Sequence, residues 1–457
     1  MVAFLAQGAS MLISVIQSLI IPKVLSIDEF SYWQLFIFYI GYVGFFHLGL
    51  NDGVYLLKGG EGREAIDKSS VNSQFLFSVA FQSLFAITVI IAAAMGEIES
   101  SRFFVVVCTG VYLVVQNAAS YFMFVLQAMN ETRISSYSTI VARFSFLIPL
   151  CILIFMRIST FQSIVIAYIG SALLQLAYCA WYCRDILTSS FSGWIQAARE
   201  SIASIRVGMK LMIANIAGQL ILGVVRLIVD AAWGIEAFGK LSFALSLVNF
   251  FLAFVSQAAM VLFPALRQSD EVEIRSFYQA SRDVLGILFP IIYLFYFPMV
   301  WLLSMWLPAY TESFLYFIWL IPICVFDSKM NITCTTLFKV RREESLLLSI
   351  NIFTAAICTV MILFSVYYLN SIEAAIASTT AAIIGRSMYS ERVVSSALGT
   401  DIDDVSLWEI ALTIAFIAMA LLLPKPIAFS AYGIAYAIFA WKHREQLCHI
   451  AHVLGKH

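Results

Sequence analysis

The chain has 457 residues, of which 61% are hydrophobic and only 12% charged, with a mean hydropathy of +0.91. Charged residues run to about 25% in soluble domains, so a soluble globular protein is excluded and an all-α polytopic membrane protein is expected. The net charge of −1 identifies no partner, and no basic run offers a nucleic-acid footprint.

A membrane-crossing helix needs about 20 apolar residues. Such runs lie near 3–22, 32–57, 75–95, 103–127, 137–156, 162–183, 208–229, 237–266, 284–306, 313–336, 348–367, 371–395, 407–423 and 427–441. This gives about fourteen transmembrane helices, or 12 to 14 because the last two runs are short. The opening Met1-Val2-Ala3-Phe4 has no basic n-region and no cleavage site follows, so helix 1 is expected to stay in the protein.

Several runs carry polar residues in register. In helix 1, Gln7, Ser10, Ser14 and Gln17 fall on one stripe at helical spacing. His47, Asn51 and Asp52 end helix 2, and Tyr112, Gln116 and Ser120 form a short stripe on helix 4 that reads mostly as packing. The segment from Ser189 to Val207 reads as an amphipathic helix on the inner surface. Helix 7 carries Asn215, Gln219, Arg226 and Asp230 on one side. Such stripes either line a cavity or glue helices together by hydrogen bonds; the full charge on helix 7 favours lining. Trp33, Trp181, Trp233, Trp306, Trp408 and Trp441 near helix ends suit an aromatic belt. Cys179 and Cys183 on one helix read as packing, and no cysteine or histidine spacing marks a metal site. His443, His449, His452 and His457 near Cys448 read as a basic tail at the membrane surface.

Lys and Arg segregate strongly: 19, Arg282 and Arg386 among them, are assigned to loops and helix ends on one side and 5 to the other, the remaining three of the 27 being assigned to the membrane interior. The positive-inside rule then places both termini in the cytoplasm, as an even helix count requires.

A constant displacement of 208 residues relates Ile27-Asp28-Glu29-Phe30-Ser31 to Ile235-Glu236-Ala237-Phe238-Gly239, Arg133 to Arg341 and Arg184 to Arg392. Two six-helix halves in the same orientation are therefore expected: an N-lobe over 1–183, an amphipathic linker over 184–207 and a C-lobe over 208–395. Helices 13 and 14 occupy 396–441 and a cytoplasmic tail 442–457. Repeats of this kind commonly place a substrate site at their interface.

The three intramembrane cations are Arg143, Arg226 and Lys329. A buried cation costs a few kcal/mol even on insertion scales, so it is expected to line a polar cavity or pair with an acid. Arg226 and Asp230 are four apart and form either an outer-end helical pair or a substrate contact. Arg143 lies about six residues into helix 5, roughly 9 Å deep, at the limit of snorkelling, and a cavity role is favoured. Asp327, with Lys329 two residues on, follows Pro322, which is expected to kink helix 10. Asp327 and Asp230 are candidates for a proton- or cation-coupling site, and Asp327 equally for a salt bridge to Arg143 or Lys329.

The run Ile20-Ile21-Pro22-Lys23-Val24-Leu25-Ser26-Ile27-Asp28-Glu29-Phe30-Ser31-Tyr32, followed by Leu48-Gly49-Leu50, resembles the opening of the Wzx-type O-antigen and polysaccharide flippases. Gly208-Met209-Lys210 through Val225-Arg226 to Phe238-Gly239-Lys240, and Leu126-Gln127-Ala128-Met129-Asn130, are similar to matching family segments. Ser26 and Ser31 stand where glycines are usual, and Lys240 replaces a usual Tyr. The resemblance implies a member of the multidrug/oligosaccharidyl-lipid/polysaccharide (MOP) exporter superfamily, with two lobes in a V around a central cavity in the bacterial inner membrane. It implies alternating-access flipping of an undecaprenyl-diphosphate-linked sugar, without enzymatic chemistry or a cofactor, coupled to an H+ or Na+ gradient or the membrane potential. A polysaccharide polymerase and a chain-length regulator are the implied protein partners. Arg143, Arg226 and Lys329 would attract the diphosphate, and Gln7, Gln17, Gln116, Asn215 and Gln219 would meet sugar hydroxyls. A multidrug or cation antiporter and a peptidoglycan-precursor flippase of the same superfamily are the alternatives.

Overall fold

The computed structural model describes residues 2–400 and 405–444, without the side chains of 2–7, 9–12, 211, 214, 215, 217, 260, 261, 264 and 265. All fourteen apolar runs are helical there, and no strand occurs among the described residues. Nine helices among the described residues are long and apolar enough to cross a membrane, or ten counting one bent pair. The chain forms two units, Met1–Gln219 and Leu220–His457.

The first unit opens with α1 (Val2–Val24) and α2 (Ile27–Ile40). Ser26 caps α2 by accepting from the Glu29 amide at 3.3 Å, which satisfies one of the orphan donors of the first turn. The single helix expected over 32–57 is broken: a 3-10 turn, Val43–His47, precedes α3 (Leu50–Lys58), and the two parts are bent by 51°. The break sits at Leu48 (φ 53°) and Gly49 (φ 84°). A break at membrane depth must re-satisfy the backbone groups it frees. Asn117 Nδ2 donates to the Val43 carbonyl at 2.9 Å, Asn51 Nδ2 to the Asn117 carbonyl at 3.4 Å, and the Gly49 amide to His47 Nδ1 at 3.0 Å. The polar residues expected to end helix 2 thus stabilise its break.

α4 (Lys68–Met95), α5 (Ser100–Ala128), α6 (Thr132–Phe155), α7 (Phe161–Tyr182) and the short α8 (Arg184–Leu187) follow. Glu29 Oε2 accepts from the Phe161 amide at 2.5 Å, placing a carboxylate at the positive end of α7. Trp33, expected in an interfacial belt, is only 4% exposed and stacks on Phe146 at 6.1 Å; Trp181 and Trp441 are each 67% exposed. Cys179 and Cys183 are fully buried in the apolar core with Tyr121, Phe122 and Val125.

α9 (Trp194–Gln268) begins in the first unit. There it meets α3 so closely that a methyl carbon on Gly53 would lie 1.9 Å from the Ser204 carbonyl oxygen, and one on Gly208 would lie 2.0 Å from that of Gly49. Backbone cannot yield as a flexible side chain can, so overpacking should cost at least about 1–3 kcal/mol. Gly53→Ala is expected to lower the unfolding temperature in detergent, whereas Gly62→Ala, with nothing within 4 Å, leaves it unchanged.

Three connecting segments are tied by Arg63. Its Nε and one terminal nitrogen donate to the two Glu131 oxygens at 2.8 and 2.7 Å, while the other donates to Asp185 at 2.7 Å. Lys68 Nζ lies 2.9 Å from Asp185. The bond to Glu131 raises the Arg63 guanidinium above its ordinary value. Burial alone would raise the Asp185 carboxyl, but Lys68 and Arg63 outweigh it and leave Asp185 below its ordinary value. A depressed carboxylate stabilises the fold above its unfolded value of about 3.9 and loses that contribution as pH falls through the folded value. Acidification below about pH 4 is therefore expected to lower the unfolding temperature of the wild type more than that of Asp185→Asn.

In the second unit α9 changes direction at Gly234 (φ 83°, ψ −175°), between the two expected helices. α10 (Glu271–Leu288) has an Asp270/Glu273 capping box, and α11 (Ile292–Trp306) follows. α12 (Thr311–Met330), buried along most of its length, runs through Pro322. The irregularity expected at that proline lies further on, in a π segment, Asn331–Thr335, before α13 (Thr336–Val340). α14 (Glu344–Tyr367) and α15 (Ile372–Leu398) pack together, with α15 against α12. α16 (Val405–Leu422) and α17 (Lys425–Lys442) pair with each other and against α10, α11 and α12. Tyr32 donates to Glu99 at 2.5 Å, and Lys240 lies 2.7 Å from both Glu236 and Glu312.

Candidate functional site

Arg143 lies on the α6 face turned toward α5 and α7. It lines a cavity of about 200 Å³ with Tyr112, Gln116 and Ser120 of α5, Thr139 and Phe146 of α6, and Tyr168, Ser171 and Gln175 of α7, besides Met123, Ala142 and Ala172. The α5 stripe that reads as packing in the sequence therefore lines this cavity with the arginine. Spacings of three and four residues bring each set onto one helix face. Tyr168 stands between Tyr112, at 5.6 Å, and Phe146, at 4.9 Å, which fixes one wall. Gln116 Nε2 donates to Ser120 at 3.3 Å and Gln175 Nε2 to the Met123 sulfur at 3.2 Å.

No acidic side chain is among the lining residues. The wall consists of a permanently charged fork of donors, two amides, hydroxyls and aromatic faces. Such a set suits an oxyanion: the guanidinium offers parallel bonds, and the low dielectric strengthens them. At about 30 Å³ per water, the space holds a phosphate-sized group but no oligosaccharide.

The other expected site residues are dispersed. The Gln7 and Asn215 side chains, and His449, His452, His457 and Cys448, lie outside the described residues. Gln17 is half-buried on α1, which packs on α6, and its Nε2 has no partner among the described residues. The Gln219 side chain is exposed, its carbonyl accepting from Tyr42 at 3.2 Å. In the second unit Arg226 is buried, 9% exposed, and Asp230 half-buried one turn later.

Lys329 is enclosed by acids, its Nζ 2.8 Å from Glu409 and 3.2 Å from Glu391. Asp327 pairs across helices, with Arg386 rather than Arg143 or Lys329, and Arg386 also donates to Asn351 at 3.2 Å. Arg386, assigned from sequence to a basic cytoplasmic end, is thus buried within the second unit, as is Arg282. Glu391 and Glu409 are the partners that sequence reasoning passed over. Each is an acid inside an apolar run, and an intramembrane acid two or more helices from an intramembrane lysine was the available signal.

A family model described as polysaccharide biosynthesis protein matches residues 1–270. No curated protein matches the sequence. Among solved structures, the chain is similar to the lipid II flippase MurJ in an inward closed conformation. That match has a TM-score of 0.72 and 12% identity over 97% of this chain and 99% of that one. It is also similar to an inward-facing multidrug resistance MATE family transporter of the MOP superfamily. Here the TM-score is 0.59 and identity 13%, over 84% and 95% of the two chains. At such identities the likeness shows a shared fold.

Proposed function

Since the chain belongs to the polysaccharide biosynthesis protein family, we propose that it is a flippase for an undecaprenyl-diphosphate-linked oligosaccharide, carried from the cytoplasmic to the outer leaflet by alternating access. The observation that carries this reading is the Arg143 cavity, whose lining residues include a cation, amides and hydroxyls and no acid. A diphosphate entering hydrocarbon must exchange its hydration for fixed donors, and Arg143 with Gln116, Gln175 and the neighbouring hydroxyls would supply them. The cavity's small volume suits the phosphate end of the cargo. The sugars would meet polar residues elsewhere, such as Gln17, and the lipid chain would remain in the bilayer.

A peptidoglycan-precursor flippase is the second reading, favoured by the fold shared with the lipid II flippase. A drug or cation antiporter is disfavoured, because a cationic cargo would need a carboxylate where this cavity has an arginine. Deletion of the gene decides among these. Accumulation of lipid-linked repeat units facing the cytoplasm supports the first reading. Normal surface polysaccharide with altered drug sensitivity would sink it, and arrest of peptidoglycan synthesis would favour the second.

A further inference from the structure

Glu29 and Tyr32 belong to the run that resembles the flippase opening, yet neither lines the Arg143 cavity. Both stand at the beginning of α2, which packs along α7, the helix that gives the cavity Tyr168, Ser171 and Gln175.

A helix start leaves several amides without partners, and the side chain just before the first turn normally accepts from one of them. At the start of α7 that residue is Thr160, which makes no capping bond; its hydroxyl lies 2.9 Å from that of Ser163 instead. The acceptor comes from α2: Glu29 Oε2 accepts from the Phe161 amide at 2.5 Å, from 132 residues away in the chain. The carboxylate also meets the positive end of the helix dipole. A cap supplied by a neighbouring helix does what a local cap cannot, since it fixes where α7 begins relative to α2.

Ring contacts continue along the same line. The Tyr32 ring stacks on Phe161 at 5.2 Å, and its hydroxyl donates to Glu99, the residue before α5, at 2.5 Å. Further along α2, Trp33 and Phe36 meet Tyr168 edge-on at 5.7 and 5.9 Å. Glu29, Trp33 and Phe36 are spaced four and three apart and so share one face of α2. Glu29 to Phe36 and Phe161 to Tyr168 are both steps of seven residues, so the two helices run in register over two turns. Tyr168 is thereby enclosed by Trp33 and Phe36 of α2, Tyr112 of α5 and Phe146 of α6. Trp33 and Phe36 are at most 4% exposed, and a close-packed interior transmits a displacement instead of absorbing it.

We propose that Glu29 is a positioning residue of the Arg143 cavity: by capping α7 from α2 it sets the height at which Tyr168, Ser171 and Gln175 face the arginine. The consequence for transport rests on the flippase reading; the position of Tyr168 does not. Fluorine NMR of the full chain in nanodiscs, with fluorotyrosine at Tyr168, reads that position, because the signal depends on the rings around it. Glu29→Ala is expected to displace the signal and to lower export per folded molecule several-fold. Glu29→Gln, which keeps an acceptor at the same reach, and Asp28→Ala, at an exposed position, should leave both as in the wild type; the same displacement in either overturns the proposal. Adding Thr160→Asp to Glu29→Ala supplies a local cap. It should restore the unfolding temperature in detergent, while the fluorine signal stays displaced and export stays low. Recovery of signal and export in that double variant would make Glu29 an ordinary cap and overturn the proposal, as would an unmoved signal in Glu29→Ala. Should Glu29→Ala fail to fold, Glu29→Asp, shorter by one methylene, must displace the signal, and an unmoved signal there is equally fatal. A wild type that flips no lipid-linked sugar defeats the flippase reading while the fluorine signal still decides the positioning.

Discussion

Lys329→Met is expected to be the most damaging single substitution in the second unit, lowering its stability by about 3–5 kcal/mol, because removing one partner of a buried ion pair strands the other. Glu391 and Glu409 both lose their nearest cation, and Arg282, 3.9 Å from Glu391, is a more distant one. The double variant Lys329→Met/Glu409→Leu should recover most of the loss, since apolar replacement of a whole buried pair is often neutral. Thermal unfolding of the purified variants in detergent reads both outcomes. A single variant as stable as the wild type would show that the lysine is not the counter-charge of these acids.

Arg143→Gln carries the second large effect, and it falls on transport. Bonds from a charged donor contribute about 1.5–3 kcal/mol each, and every 1.4 kcal/mol is a factor of ten. Loss of one such interaction with a phosphate therefore predicts a roughly tenfold to hundredfold fall in export per folded molecule. The side chain is half-buried in a polar pocket, so the fold should tolerate the change. Arg143→Lys should fall between, retaining charge without the planar fork. Surface-polysaccharide output normalised to protein abundance separates these cases.

Hydropathy carried much of this molecule. The apolar runs are helical, that over 32–57 with one break, because a backbone in hydrocarbon must bond to itself, which leaves little local ambiguity. The break at Leu48-Gly49 was not legible, because it depends on Asn117, on a separate helix, reaching the Val43 carbonyl. Near the candidate site, the α5 stripe and Arg143 were each visible in register. The contribution of α7, through Tyr168 and Gln175, was not, since which faces meet is a tertiary matter. The buried charges show the same limit more sharply. Lys329 and Glu409 are 80 residues apart and Arg386 and Asp327 are 59 apart; a window averaging over one helix registers each as a blemish and cannot see its partner. The constant 208-residue displacement is a spacing read from the sequence alone. It also sets Asn351 opposite Arg143, so one half carries the arginine where the other carries an amide bound to Arg386.

The proposed function is movement of an anionic, lipid-linked sugar across a bilayer. Its most direct test reconstitutes the purified protein in liposomes containing an undecaprenyl-diphosphate-linked oligosaccharide in both leaflets and probes the outside with a glycosidase that cannot enter. The account predicts that the inner-leaflet fraction becomes cleavable with the wild type, and markedly more slowly with Arg143→Gln. An inner-leaflet fraction that stays protected, in vesicles where the same protein moves a lipophilic cation, would contradict it.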